Sequence, residues 1–356
     1  MPTPPIPAPD EIDREWLTAR LRDAGHGDVD VRAFTATRIG TGQIGQCIRY
    51  ELELSGGEAP RRLVGKFPSD DPLSRETGVG LRNYYREVQF YRTLAPRLPI
   101  ATPRCYYAAI DGEGPRFVLL LEDMHPAVQG DQLAGCSPEV ARSAVRELVG
   151  LQAPTWCDET LLDYDWLHQP APATDLRSLY AQMLPGFVDR YGASLAPDEV
   201  DVLSRVADAP QCPLFAPLEP PFCLEHVDYR LDNLLIDHTT STPRVTVVDW
   251  QSVKVGRPLN DVAYCLGGGL EPDVRRPVEQ DIVRDYHRAL EAAGVTGFDW
   301  PSCWEAYRRS TFAGFGVTVI ASMIVEQTPR GDEMFLTMAR RHARHALDLG
   351  ATEFLE

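Results

Sequence analysis

The chain has 356 residues, of which 44% are hydrophobic and 24% are charged, a balance typical of a soluble globular protein with a core large enough for two lobes. Its formal net charge of −17 either serves solubility or suits a cationic substrate, and it disfavours nucleic acid and anionic membranes, which are bound by clustered Lys and Arg. Eight scattered cysteines without a Cys-x-x-Cys pair predict neither a disulfide framework nor a zinc site. The start of the chain has no basic or apolar segment, which predicts no signal peptide and a cytoplasmic location.

The first elements along the chain are a helix and then a series of strands. Residues 11–24 place apolar side chains at helical spacing. The period then changes to two, so residues 31–39, 48–54 and 62–67 are predicted to form three strands.

A Gly-x-Gly-x-x-Gly segment, formed by Gly40, Gly42 and Gly45, lies between the first two strands. In a dinucleotide-binding protein this segment opens a helix, whose N-terminus meets the pyrophosphate. Here an alternating strand follows instead, which nearly excludes that class. The pattern therefore predicts either a loop that covers nucleotide phosphates or an ordinary glycine hairpin.

Two charged residues stand out in the elements that follow. Lys66 lies in the apolar run of the third strand, and Glu87 lies beside the apolar stripe of a helix predicted over residues 83–94. Such a lysine either extends to solvent from a strand end or binds phosphate. Residues 106–110 and 116–121 flank a strong turn and predict two more strands, which makes five in all.

The rest of the chain is mainly helical in pattern. The predicted helices cover residues 139–152, 175–191, 198–207, 272–293, 304–325 and 333–349. The longest apolar stretch, residues 312–325, is too short to cross a bilayer and is predicted to be buried within one of these helices.

Two further segments have two interpretations each. Residues 158–165 are acidic and aromatic, so they either line a pocket for an amine through cation–π contacts or form a solvated loop, which we favour. His342 and His345 lie among arginines near the end of the last helix. They suggest a metal or anion site, but basic residues interacting with the negative end of the helix dipole are the simpler explanation.

Residues 222–251 predict a β-hairpin around which the chemistry is organised. An apolar run ends at His226, a loop carries Asp228 and Asn233, and a second strand ends at Asp249. The open ends of this hairpin would present two carboxylates and one carboxamide. Phosphoryl transfer needs such a set, because one carboxylate accepts the proton of the attacking hydroxyl while the other two groups hold magnesium.

The pattern His-x-Asp-x-x-x-x-Asn, followed by an apolar strand and an Asp, resembles the catalytic and metal-binding loops of the kinase-like fold. It is most similar to the aminoglycoside phosphotransferase/choline kinase/ecdysteroid kinase-like superfamily of small-molecule kinases. A protein kinase would have Asp-Phe-Gly and a long activation segment. Here Trp250 and Gln251 follow Asp249, and a predicted helix begins close to Asp261, so no segment is left to hold a peptide.

The resemblance implies a role for each residue of the hairpin. Asp228 would be the catalytic base, and Asn233 and Asp249 would be the magnesium ligands. Arg230 would either approach the transferred phosphate or pair with a neighbouring carboxylate. His226 would support the loop by hydrogen bonding and is not expected to act as a base.

The resemblance also assigns the nucleotide site. Lys66, oriented by Glu87, would hold the ATP phosphates beneath the loop that contains Gly40, Gly42 and Gly45. Backbone groups of Glu122 and Met124 would bind the adenine edge as a hinge. Asp261 would cap its helix and brace the catalytic loop.

These observations predict an α+β protein with a bilobal protein-kinase-like fold. Residues 1–122 would form a nucleotide-binding lobe with a five-stranded antiparallel sheet plus a helix, and residues 123–356 a mainly helical catalytic and substrate-binding lobe. The expected function is transfer of the ATP γ-phosphate to a hydroxyl of a small molecule, with Mg²⁺ as cofactor. Aminoglycosides, choline-like amines and hydroxylated lipophilic molecules all fit as acceptors, and a catalytically silent nucleotide-binding scaffold is the alternative.

Overall fold

Strands dominate the first third of the chain and helices dominate the rest. The computed structural model describes residues 5–40, 44–168 and 175–356. Within these residues the strands are β1 (Val29–Ile39), β2 (Gly45–Gly56), β3 (Arg62–Pro68), β4 (Cys105–Ile110), β5 (Phe117–Glu122), β6 (Val128–Gln129), β7 (Cys223–Glu225), β8 (Leu234–Asp237), β9 (Arg244–Val247) and β10 (Lys254–Gly256). The helices are α1 (Arg14–Asp23), α2 (Pro72–Gly80), α3 (Asn83–Gln89), α4 (Pro138–Gln152), α5 (Leu176–Tyr191), α6 (Pro197–Asp208), α7 (Pro258–Gly269), α8 (Pro272–Arg275), α9 (Glu279–Ala292), α10 (Trp300–Arg309), α11 (Ala313–Gly316), α12 (Ser322–Ile324) and α13 (Pro329–Asp348).

The N-terminal lobe is an antiparallel sheet with strand order β1-β2-β3-β5-β4. Successive side chains point to opposite faces of a strand, and the sheet is therefore covered on both sides. Leu120 of β5 packs in a cluster with α1, whereas Leu119 and Leu121 pack with α3. The predicted five-stranded antiparallel sheet is confirmed, and Lys66 lies in its central strand, opposite Leu119.

The C-terminal lobe contains two helical clusters. Helices α4, α7 and α9 share the core that also includes β7 to β9, and α5, α6 and α13 form a second core beside it. Within the described part of the chain, no helix is long and apolar enough to cross a membrane.

Two of the predicted helices are interrupted. Residues 272–293 form α8 and α9 rather than one helix, because Pro277 lacks the N–H that a continuous helix requires. Residues 304–325 are divided among α10, α11 and α12, with a π-helical turn at Val317–Ala321 between the last two. Gly314 and Gly316 favour this break, because glycine weakens a helix interior.

The central hairpin is shorter than the sequence predicted. Strands β8 and β9 form it, with Leu234 opposite Val247. The preceding apolar run, β7, does not belong to the hairpin and pairs with β10 instead. The open end of the β8–β9 hairpin still carries Asn233 on one side and Asp249 on the other, as predicted.

The helix-dipole explanation for His342 and His345 is wrong. Both side chains are completely buried within the C-terminal lobe rather than exposed at a helix end. Burial lowers the pKa of both imidazoles, that of His342 to about 3, so neither carries the charge that a dipole interaction needs. The ring of His342 stacks on Tyr264 with 5.2 Å between centroids.

Because His342 is buried, we expect the stability of the fold to decrease at acidic pH. Below pH 6.5 the unfolded chain binds a proton at His342 that the folded chain does not, so the free energy of unfolding falls as the pH drops toward 3. The residue contributes about 1.4 kcal/mol of this loss per pH unit. A His342→Phe variant should therefore show a weaker pH dependence in urea unfolding between pH 7 and pH 4, whereas exposed His238→Phe should match the wild type. Equal pH dependence in all three proteins would contradict the expectation.

Candidate active site

The two lobes meet at the ammonium group of Lys66. Lys66 Nζ lies 2.7 Å from Glu87 Oε2 on α3 and 2.6 Å from Asp249 Oδ1, just beyond β9. The Glu87 side chain is buried, and Lys66 is only 13% exposed. The structure thus brings three of the predicted site residues together around one cation.

The charges of Lys66, Asp249 and Glu87 influence one another's protonation states. Burial alone would lower the pKa of Lys66, but Asp249 and Glu87 outweigh it and hold the pKa well above the usual range. Burial would raise the pKa of Asp249, but Lys66 overcomes this effect and lowers it. Burial raises the pKa of Glu87, and Lys66 counteracts part of that rise. Lys66 is therefore charged, and Asp249 is its main anionic partner.

Aromatic packing places α3 against the segment that contains Asp249. Trp250 stacks on Phe90, which continues α3, with 3.9 Å between ring centroids. The indole Nε1–H of Trp250 donates a hydrogen bond to Thr102 Oγ1 at 2.9 Å. Trp250 thus lies between the lobes and fixes the distance between α3 and Asp249.

Gly40 directly follows β1 and Gly45 is the first residue of β2, so a strand and not a helix begins at Gly45, as predicted. Gly40 has φ +73°, a backbone conformation that favours glycine. A Cβ atom on Gly45 would lie 3.1 Å from the Phe67 carbonyl and 3.4 Å from Lys66 Cε, so glycine allows close packing beside the lysine. Gly42 lies outside the described residues.

Asp228 and Asn233 face each other across the loop between β7 and β8. The Asn233 Nδ2 group donates to the backbone carbonyl and to Oδ2 of Asp228, both at 2.9 Å. The backbone carbonyl of Asn233 accepts a hydrogen bond from the backbone N–H of Val248 at 3.0 Å, which joins the loop to the residue before Asp249. These bonds hold the predicted base and both predicted metal ligands in one local structure.

Two further groups contact the Asp228 carboxylate. Arg230 Nε lies 3.3 Å from Oδ2, so Arg230 pairs with a neighbouring carboxylate, one of the two roles considered for it. The Tyr264 hydroxyl donates to Oδ1 at 3.1 Å. Tyr264 was not among the predicted site residues, because a tyrosine on an apolar helix face gives no signal distinct from core packing.

The loop geometry around Asp228 depends on Asp261. The two carboxylate oxygens of Asp261 accept the backbone N–H groups of His226 at 2.7 Å and Val227 at 2.9 Å. Val227 has φ +77°, which is strained for a β-branched residue and requires such support. Burial and the neighbouring Glu225 raise the pKa of Asp261 to about 8, although the two N–H groups favour its charged form.

Asp261 braces the loop as expected, but it does not cap its helix. Helix α7 begins at Pro258, so Asp261 lies inside the first turn with its side chain directed to the loop. His226 Nε2 lies 3.0 Å from the Val248 carbonyl and must donate there, because a carbonyl only accepts. Burial lowers the pKa of His226, and its geometry is that of a supporting residue.

The donor set around Asp249 fits magnesium. Mg²⁺ keeps several of its waters and is held in nucleotide enzymes by one or two protein oxygens together with phosphates. Because the Nδ2 group of Asn233 donates to Asp228, its Oδ1 atom would be the ligand oxygen, and Asp249 would supply a carboxylate. Among the described residues, no cluster of three or more His, Cys, Asp or Glu forms an all-protein metal site.

The segment predicted as a hinge follows β5, which ends at Glu122. Its first N–H, that of Glu122, donates to the Arg104 carbonyl at 2.8 Å. The Asp123 carboxylate accepts hydrogen bonds from Arg49 Nε at 2.6 Å and Nη2 at 3.2 Å, which ties the segment to β2. The adenine-binding role of Glu122 and Met124, and the lobe boundary at this point, stay predictions.

The acidic segment at residues 158–165 does not form a cluster of carboxylates around a pocket. Asp158 accepts the N–H and hydroxyl of Thr160 in a local turn, and Glu159 and Asp163 are exposed. Asp165 pairs with Arg82 at 2.9 Å, beside α3. The segment therefore contacts the N-terminal lobe, a role that neither interpretation of the sequence included.

Comparisons with solved structures identify the fold. Three solved structures each give a TM-score of 0.51. The first is a provisionally named aminoglycoside phosphotransferase from Ralstonia eutropha, which is 17% identical, with 94% of this chain and 98% of that chain covered. The GDP complex of aminoglycoside 2'-phosphotransferase-IIIa is 13% identical, with coverages of 93% and 99%, and a microcompartment-associated aminopropanol kinase is 13% identical, with coverages of 96% and 99%. At these identities the likeness shows the fold, which is the predicted bilobal kinase-like fold. No curated protein matches the sequence.

The family comparison covers most of the chain. The model of the phosphotransferase enzyme family, APH, matches residues 46–303, a span that includes Lys66, Glu87, the β8–β9 hairpin and Asp261. The chain therefore belongs to the phosphotransferase enzyme family.

Proposed function

We propose that this protein transfers the γ-phosphoryl group of ATP to a hydroxyl of a small molecule, with Mg²⁺ as cofactor. The observation that carries the proposal is the position of Lys66 between Glu87 and Asp249, with Asp228 and Asn233 in the adjoining loop. Together these residues provide one cation for phosphate, two ligands for a metal and one base.

Each residue contributes positioning or charge, which is what phosphoryl transfer requires. Lys66 binds the phosphates of the nucleotide, and Glu87 orients it. Asp228, held by Asn233 and Tyr264, accepts the proton of the acceptor hydroxyl through a carboxylate oxygen. Arg230, which is mostly buried, pairs with the Asp228 carboxylate and helps to hold that carboxylate in its orientation. Magnesium, held by Asn233 and Asp249, would neutralise the charge of the phosphates.

The alternative of a silent scaffold has less support. A scaffold needs to bind a nucleotide but does not need an oriented base. Here the Asp228 carboxylate receives hydrogen bonds from two separate elements, the loop residue Asn233 and the α7 residue Tyr264. Such bonding restrains the carboxylate to one orientation, which matters for catalysis and not for nucleotide binding.

The acceptor class is open to a direct test. The three similar structures are named for aminoglycoside or aminopropanol substrates, so hydroxylated amines belong in a first panel. The acidic segment at residues 158–165 gives no support for cation selection, because Asp165 is paired with Arg82. Choline, ethanolamine, sterols, macrolides and nucleosides should therefore be tested with equal weight.

The magnesium assignment predicts a specific shift in metal dependence. With ATP and an accepted substrate, removal of Mg²⁺ by a chelator should stop turnover. Asn233→Ala should raise the Mg²⁺ concentration for half-maximal rate, because one of two protein ligands is lost. Asp228→Asn should lower the rate at every Mg²⁺ concentration without moving that midpoint. An unchanged midpoint in Asn233→Ala would contradict the ligand assignment.

A further inference from the structure

Arg86, the residue before Glu87 on α3, has no role in the function proposed above. Its side chain is only 2% exposed, and no carboxylate lies within salt-bridge distance of it in the described part of the chain. Burial lowers its pKa to about 10, so it remains charged at neutral pH. A buried cation without a counter-ion is costly, and it persists only where hydrogen bonds compensate it.

The hydrogen bonds of Arg86 join three parts of the chain. The Nε group donates to the Trp166 carbonyl at 3.1 Å. The Nη1 group donates to the Gln251 carbonyl at 3.1 Å and to the Leu81 carbonyl at 3.3 Å. Trp166 belongs to the acidic and aromatic segment, and Gln251 lies two residues after Asp249. One planar guanidinium therefore connects α3 to both C-terminal segments.

A second, outer set of contacts reinforces the same connection. Arg82, at the start of α3, donates to the Asp165 carbonyl at 3.2 Å and to its carboxylate at 2.9 Å. Arg82 also pairs with Glu113 at 2.8 Å. The segment from Asp165 to Leu167 thus holds α3 at its N-cap residue, Arg82, and again one turn later at Arg86. We call Arg82, Arg86, residues 165–167 and Gln251 the α3 clamp.

We propose that Arg86 is a positioning residue, and that the α3 clamp fixes Glu87 and Asp249 at bonding distance from the single ammonium group of Lys66. Glu87 follows Arg86 directly on α3, and Asp249 precedes Gln251 by two residues. A shift of α3 relative to Gln251 would therefore separate the two carboxylates that orient Lys66. The inference rests on the proposed function for its kinetic consequences, but the clamp itself is testable without turnover.

The decisive variant is Arg86→Lys, which keeps the buried charge but cannot reach both carbonyls with a planar fork. We expect kcat/KM for ATP to fall about 10²-fold, because small misplacements at a distance have effects of that size. The KM for the acceptor should change little. Amides of α3 should exchange with deuterium about tenfold faster, consistent with the loss of hydrogen bonds worth roughly 1.4 kcal/mol.

Arg92→Lys is the matched control. Arg92 lies on the continuation of α3, but its Nε and Nη2 groups both donate to the Ala108 carbonyl within the N-terminal lobe. This variant should keep wild-type kinetics and wild-type exchange in α3. If Arg86→Lys behaves like Arg92→Lys, the proposal is overturned. It is also overturned if Arg86→Lys loses activity while exchange in α3 is unchanged.

Two further arms keep the test decisive. If Arg86→Lys does not fold, Arg82→Ala takes its place, because it removes only the outer contacts. Arg82→Ala should show smaller changes in the same direction in kcat/KM for ATP and in the deuterium exchange of α3. No change in either measurement overturns the proposal. If no acceptor is phosphorylated by the wild type, the proposed function fails, while the exchange of α3 in Arg86→Lys and Arg92→Lys still decides the clamp.

Discussion

An Asp228→Asn variant should lose about 10²- to 10⁴-fold in kcat while its affinity for magnesium–ATP stays close to that of the wild type. Asparagine has nearly the shape of aspartate, and the contacts of the loop with Asn233 and Tyr264 can largely persist. It cannot accept the proton of the attacking hydroxyl. The loss should therefore appear in the chemical step and not in nucleotide binding.

The measurement is a steady-state rate with saturating ATP, together with a calorimetric titration of the nucleotide. Asp237→Asn is the control, because Asp237 lies at the turn end of the same hairpin, where its carboxylate accepts hydrogen bonds from Thr239 and Arg244. That control should retain turnover. Wild-type kcat in Asp228→Asn would show that another group accepts the proton and that the assignment of the base is wrong.

A Lys66→Met variant should lose roughly 10²- to 10³-fold in activity and should also be less stable. The activity falls because the phosphates lose their cation. The stability falls because Glu87 is buried and Lys66 is the partner that offsets the burial of its charge. Breaking a buried pair from one side costs roughly 3–5 kcal/mol in free energy of unfolding.

The double variant Lys66→Met with Glu87→Gln separates these two effects. Removing the charge of Glu87 as well should restore much of the stability. The one carboxylate that then lacks its partner at position 66 is Asp249, which is partly exposed. It should not restore activity. Urea unfolding and steady-state kinetics on the two single variants and the double variant provide the measurement. Recovery of turnover in the double variant would mean that Lys66 is structural and does not bind phosphate.

The sequence was sufficient for the parts of the site that use fixed spacings along one chain segment. Asp228, Asn233 and Asp249 were predicted to lie close together because the loop and the following hairpin impose their separation, and the structure places them so. Lys66 and Glu87 were predicted as a pair from the resemblance to the kinase-like fold, in which a strand lysine is oriented by a glutamate of the following helix, and the structure places them 2.7 Å apart.

The residues that the sequence did not predict act between distant segments. Tyr264 reaches Asp228 from α7, and Arg86 reaches Trp166 and Gln251 from α3. Such contacts depend on how helices pack, which periodicity does not encode. The helix-dipole explanation for His342 was wrong for the same reason, because the residues that bury its side chain belong to other helices and not to its own.

The most direct test of phosphoryl transfer is ATP turnover with Mg²⁺ against the mixed panel of hydroxylated acceptors, with product followed by mass. We expect at least one acceptor to gain a single phosphoryl group with the wild-type protein, and we expect that product to be lost with Asp228→Asn. A wild-type protein that binds magnesium–ATP but phosphorylates nothing in the panel would favour the scaffold. A protein that binds no magnesium–nucleotide at all would contradict the assignment of the site built around Lys66, Asn233 and Asp249.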